Sequence, residues 1–131
     1  MRKLLLICLF SVLSVIMFSN TITVTNTQNL GFGSLRDAVS ISLIGDTIRF
    51  NPSLISSGNA TIYLTSAITV NKQLVFKGLY NNTDTLIISG SNTTSIFSFG
   101  ANQRVVLDSM VLINGYSTTP GGAVKIESVD S

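Results

Sequence analysis

Six carboxylates and eight Lys or Arg side chains make up nearly all the charge-bearing chemistry of this 131-residue chain, which has no His and no Trp. The one Cys, Cys8, lies in an apolar run at the N-terminus. Zinc sites built on Cys or His, thiol nucleophiles and His-based triads are therefore excluded from residues 21–131. Carboxylates remain as the only catalytic candidates. Asp108 precedes Ser109 on a strand-like stretch, with Lys77 expected one strand away, a pairing that suits a carbohydrate-contacting patch or a plain solvated strand face. Glycoside hydrolysis needs at least two placed acids, and no second one is evidently set beside Asp108. Asp46 follows Gly45 and precedes a strand, a position where a side-chain oxygen accepts from nearby backbone N–H groups. Arg36, next to Asp37, is expected to be a solvated charge on the wet face of a helix. Gly115, Gly121 and Gly122 are not followed by Lys-Ser/Thr or a helix start, so they do not form a phosphate loop, and Pro120-Gly121 suits a type II turn. No residue is assigned a catalytic, metal or cofactor-binding role, and no cofactor is expected.

The elements that would position these side chains begin after a targeting segment. Arg2 and Lys3 are followed by an apolar run from Leu4 to Phe18, which at about fifteen residues is shorter than the ~20 a membrane-spanning helix needs. Residues 1–20 therefore read as a cleaved secretory signal, with Ser19 small and Met17 out of pattern near the cut; an uncleaved anchor is the alternative. The formal charge of +2 resides in Arg2 and Lys3, leaving residues 21–131 neutral. A neutral chain carries no electrostatic footprint for nucleic acid. No membrane span is expected in the mature chain, whose length suits one domain.

Alternation dominates that domain. Ile22 and Val24, Ile48 and Phe50, Ile62 and Leu64, Ile68 and Val70, Leu74 and Phe76, Phe97 and Phe99, and Val124 and Ile126 should each face a core. Clusters of Asn, Gly, Ser and Thr separate these short strands. Val75, Val106, Val111 and Ile113 are apolar on the opposite face, which fits parallel strands better than hairpins. One helical pattern interrupts the series. Ser34 is a good N-cap with Asp37 three residues on, Leu35, Ala38 and Val39 share a face, and Gly45 should end a helix of about ten residues. The sequons at Asn59, Asn81 and Asn92 read as polar turns, glycosylated only in a eukaryotic secretory route.

The stretches "VTNTQNLGFGSLRDAV", "GDTIRF", "ATIYLTSAITVNKQLVFKGL", "LIISG" and "VVLDSMVLINGYSTTPGGAV" together resemble the start of secreted bacterial right-handed parallel β-helix proteins, including polymorphic outer-membrane proteins and autotransporter-like adhesins. The resemblance runs from Ile22 to about Ile126. It implies an all-β solenoid of repeated coils in which "GSLRDA" forms an N-terminal capping helix over the first coil. Repeat stacks need about three or more units and a cap at each end, so residues 21–131 read as the cap and first coils of a truncated β-helix domain. The implied function is a secreted or cell-surface structural or binding module of the adhesin or passenger type. The alternative is the front of a β-helix polysaccharide lyase or glycosidase whose catalytic residues lie beyond this chain. Surface glycans or proteins are the implied partners, together with further coils of its own chain or a second copy.

Overall fold

Nearly all the alternating stretches become strands that pair in parallel. A computed structural model describes residues 18–127. The expected signal segment therefore lies outside the described residues up to residue 17, as does Asp130. The described chain is mostly β, with ten strands: β1 (Thr21–Val24), β2 (Thr47–Phe50), β3 (Ala60–Tyr63), β4 (Ile68–Val70), β5 (Leu74–Lys77), β6 (Leu86–Ser89), β7 (Phe97–Phe99), β8 (Val105–Asp108), β9 (Val111–Ile113) and β10 (Val124–Ile126). One α-helix, α1 (Leu35–Ile41), joins β1 to β2, and a short 3-10 helix, Pro52–Ile55, follows β2. No described helix is long and apolar enough to cross a membrane.

Three parallel sheets hold the strands, in the orders β1-β2-β5-β8, β3-β6-β9 and β4-β7-β10. Successive strands visit these sheets in rotation: β2, β3 and β4 belong to three different sheets, β5, β6 and β7 revisit them in the same order, and β8, β9 and β10 do so again. Register stacks like on like. Ile48 pairs with Phe76 and Phe76 with Leu107, Ile62 with Ile88 and Ile88 with Leu112, and Ile68 and Val124 both pair with Phe97. These columns point inward and form one core, in which Phe97 meets Phe76 and Phe99 at ring-centroid distances of 5.2 and 5.5 Å. Each such aromatic contact adds about 0.5–1.5 kcal/mol beyond the area it buries. Where Val24 and Phe50 face the core, the residue that follows β5 in the same register is Gly78. A Cβ there would run into the Ser109 carbonyl, so the column narrows because the backbone of the next strand needs the space.

Burial in these columns falls steadily along the stack. Ile48, Phe76, Ile62, Ile88 and Phe97 are fully buried, whereas Leu107, Leu112 and Val124 are only half-buried. Ile126 is 73% exposed although it is in register with buried Phe99. Val124 and Ile126 thus point inward, as their alternation requires, at an end of the stack that no described layer covers from the far side.

The opposite end is covered by α1, whose Leu35, Ala38 and Val39 are buried against the core as their spacing requires. Ser34 caps the helix by accepting from the Asp37 N–H at 3.2 Å, and the Asp37 carboxylate reaches back to the Gly33 N–H at 2.8 Å. The helix is shorter than expected and does not run to Gly45. Ser42 is the C-cap in extended geometry, its hydroxyl donates to the Val39 carbonyl, and Lys72 donates to the carbonyls of Val39 and Ser42 at 3.1 and 2.6 Å. With the last carbonyls already satisfied, continuing the helix gains nothing. Gly45 instead takes a φ of +89° in the turn before β2. Leu35→Asp should place an unpaired carboxylate against the core and cost about 3 kcal/mol or more, while Thr69→Asp on an exposed strand position should cost less than about 1; chemical denaturation of the two variants measures the difference.

Candidate functional site

Parallel register turns single outward residues into rows. On the outer face of the four-stranded sheet, Thr23, Arg49, Lys77 and Asp108 lie side by side on β1, β2, β5 and β8. This places Lys77 beside Asp108, as expected, with Nζ 3.9 Å from Oδ2. Both side chains are about half exposed, so the pair is solvent-screened and contributes little to stability. The Asp108 Oδ1 atom also accepts from the Ser109 hydroxyl at 2.9 Å. Arg49, on the neighbouring strand, brings a second cation to Lys77. A shallow groove of about 250 Å³ borders the row, lined by Thr23, Arg49, Phe50, Pro52, Lys77 and Gly78 among others. Chemically the row can hold an anionic or hydroxyl-rich group between its two cations.

Acid–base work would require something different, because the described carboxylates are scattered. Asp37 is held by the Gly33 N–H, Asp46 by the N–H groups of Asn20 and Leu43, Asp84 by the Thr83 hydroxyl, and Asp108 by Ser109 and Lys77. No cluster of three or more His, Cys, Asp or Glu occurs among the described residues. Asp46 performs the turn role read from its position, with Leu43 N–H donating at 2.8 Å and the Asp46 N–H returning to the Leu43 carbonyl at 3.2 Å. The glycine cluster likewise serves turns and close contacts: Gly121 has a φ of +114°, and a Cβ on Gly115 would collide with Ala123. The sequon residues sit in turns, with Asn81 accepting from the N–H groups of Thr83 and Asp84, and Asn59 accepting from Thr85 N–H.

Arg36 departs from its expected role. Rather than a free charge on the wet face of the helix, it is half-buried and forked over the loop that enters β4. Its Nη1 donates to the Ala67 carbonyl at 3.0 Å, Nη2 to the Ser66 carbonyl at 2.7 Å and the Asn29 Oδ1 at 3.2 Å, and Nε to the Asn29 carbonyl at 3.3 Å. Burial pushes its guanidinium pKa below the ordinary value. Sequence spacing could not reveal the Ser66 and Ala67 acceptors, because they lie some thirty residues downstream and are backbone atoms. Lys72 was missed for the same reason. A groove of about 340 Å³ between the helix and β4 is bounded by Arg36 and Lys72, but the hydrogen bonds of both cations are directed into the fold.

Arg36→Ala should therefore destabilise the chain by about 1.5–3 kcal/mol, the range for hydrogen bonds to a charged group, and Arg36→Lys should recover only part of this because an ammonium lacks the planar fork. Lys77→Ala should cost less than about 1 kcal/mol. Equilibrium denaturation of the three variants distinguishes a structural clamp at Arg36 from the screened pair at Lys77.

No family model, curated protein or solved structure matches the chain, so what these rows do rests on their own geometry.

Proposed function

We propose that this chain is the capped N-terminal part of a secreted or cell-surface protein with a right-handed parallel β-helix, serving as a structural or binding module of the adhesin or passenger type. The observation that carries the reading is the rotation of successive strands through three parallel sheets, with every third strand returning to the same sheet in register. Parallel crossover connections are right-handed in nearly all known cases, which supplies the hand. The basic and apolar pattern of residues 1–20 supplies the route of export, and the resemblance to polymorphic outer-membrane proteins and autotransporter-like adhesins supplies the class. Scattered carboxylates, with Asp37, Asp46, Asp84 and Asp108 each held by its own neighbours, favour a scaffold or binding surface over an enzyme centre.

The partner for such a module follows from its two ends. One end is closed by α1. At the other, β8, β9 and β10 have no described strand on their far edges, and Leu107, Leu112, Val124 and Ile126 are partly or largely exposed there. Further coils of the same protein would pair at these edges, and without them a second copy would meet the same need. The outward rows, including Thr23, Arg49, Lys77 and Asp108, are the surface offered to glycans or proteins.

Light scattering over a concentration series tests the open end. The exported chain should associate as concentration rises, and Val124→Lys or Ile126→Lys should shift that association to higher concentration. A chain that stays monomeric at every concentration would favour a self-contained β domain. Incubation with pectin-like and other acidic glycans, with and without calcium, should leave their length unchanged; turnover that is lost on Asp108→Asn would favour the enzyme alternative.

A further inference from the structure

Two residues ahead of the first strand are already fastened to the fold. Ser19 Oγ donates to the Gly45 carbonyl at 2.7 Å, Asn20 N–H donates to Asp46 Oδ1 at 2.9 Å, and the Asn20 carbonyl accepts from Thr47 N–H at 2.8 Å. Asp46 is 2% exposed, and its second oxygen is taken by Leu43 N–H. No Lys or Arg lies within ion-pair distance of it among the described residues. A buried carboxylate is thus left with neutral amide donors only, an expensive arrangement for a charged group.

We propose that the chain is cut between Ser19 and Asn20, and that the ammonium group this creates on Asn20 becomes the counter-charge of buried Asp46. The proposal rests on the export reading above. The step is a peptide hydrolysis: water adds across the Ser19–Asn20 amide, Ser19 departs with a carboxylate on the removed segment, and the Asn20 nitrogen takes up protons as an ammonium. The peptidase is of the class that removes export signals and takes a small residue just before the cut bond. Ser19 meets that requirement, whereas Phe18 and Asn20 do not; Met17, three places before the cut, is larger than the same pattern favours.

The neighbouring cut is disfavoured by what it would remove. Cleavage after Asn20 would take away both its N–H and its carbonyl, leaving Asp46 Oδ1 and Thr47 N–H without those partners. Cleavage before Ser19 would keep both bonds but leave the Asn20 nitrogen a neutral amide. Only the Ser19–Asn20 cut retains the first-strand ladder and supplies a positive charge at a nitrogen already 2.9 Å from the carboxylate. Among the described residues, the exposed Ser19 hydroxyl contact is the one side-chain bond it loses.

The test is to express the full-length precursor in a secreting bacterium, purify the exported product, and read its first residues and intact mass. The expected start is Asn20-Thr21-Ile22-Thr23. An exported product that starts at Thr21 or elsewhere overturns this proposal and leaves the export reading standing, while a cell-retained product that still starts at Met1 overturns both. The ion pair has a separate readout, the rate at which an amine-directed acylating reagent modifies the Asn20 amine at pH 7. That rate should be about tenfold lower in the processed protein than in the free peptide Asn-Thr-Ile-Thr, the effect of raising an α-amine pKa by one unit. Asp46→Asn should restore most of it. Equal rates for the processed protein and the free peptide would overturn the pairing, whether or not the Asp46→Asn variant folds.

Discussion

A layer of parallel strands buries its apolar side chains only when another layer lies on each side of it, and this requirement governs the rest of the structure. Within the sheets it is met by register. Ile48 lies beside Phe76 and Ile62 beside Ile88, so each inward residue is covered by its equivalents on neighbouring strands. At the two ends register cannot help, because a terminal layer has a neighbour on one side only. One end is met by α1 and the other is not, and the rising exposure from Phe76 to Leu107 and from Phe99 to Ile126 records the difference.

Closing the first end takes more than an apolar stripe. A seven-residue helix is too short to be stable alone, so Leu35, Ala38 and Val39 need the core as much as the core needs them. Polar side chains fix its position. Arg36 holds the carbonyls of Ser66 and Ala67 near its start, and Lys72 holds those of Val39 and Ser42 at its end. Both cations thereby bind the helix to backbone that lies next to β4. The lid is consequently hydrophobic underneath and bolted around its rim by charge-assisted hydrogen bonds, which are stronger than neutral ones.

Much of this was legible in the sequence, and the parts that were not share a cause. Alternation placed Ile48, Phe50, Ile68, Val70, Leu74 and Phe76 in the core, and the outward apolar residues Val75 and Val106 indicated parallel rather than hairpin pairing. Ser34 and the buried helix face were equally readable, since both are local signals. The helix end was not, because Gly45 is a familiar stop whereas the true stop depends on Lys72, thirty residues away. Arg36 was misread because most of its acceptors are backbone carbonyls, which carry no sequence signature. The charged row was half visible: Lys77 beside Asp108 followed from strand spacing, while Arg49 joined them only once the register of β2 on β5 was known.

Parallel stacking in rotation also bears on how the chain acquires its shape. Among the pairings that build the three sheets, the shortest step runs from Ile87 to Val111, 24 residues, and the longest from Leu74 to Val105, 31 residues. From β5 onward each new strand therefore closes a loop of nearly constant size against the strand laid down three earlier, and β2 closes one of the same size against β1. The entropy of loop closure is fixed per layer and does not grow with the number of layers. With the lid encoded between β1 and β2, the sealed end of the described stack emerges during synthesis before the layers that follow it. Assembly can then proceed as templated growth in one direction, each finished layer serving as the mould for the next.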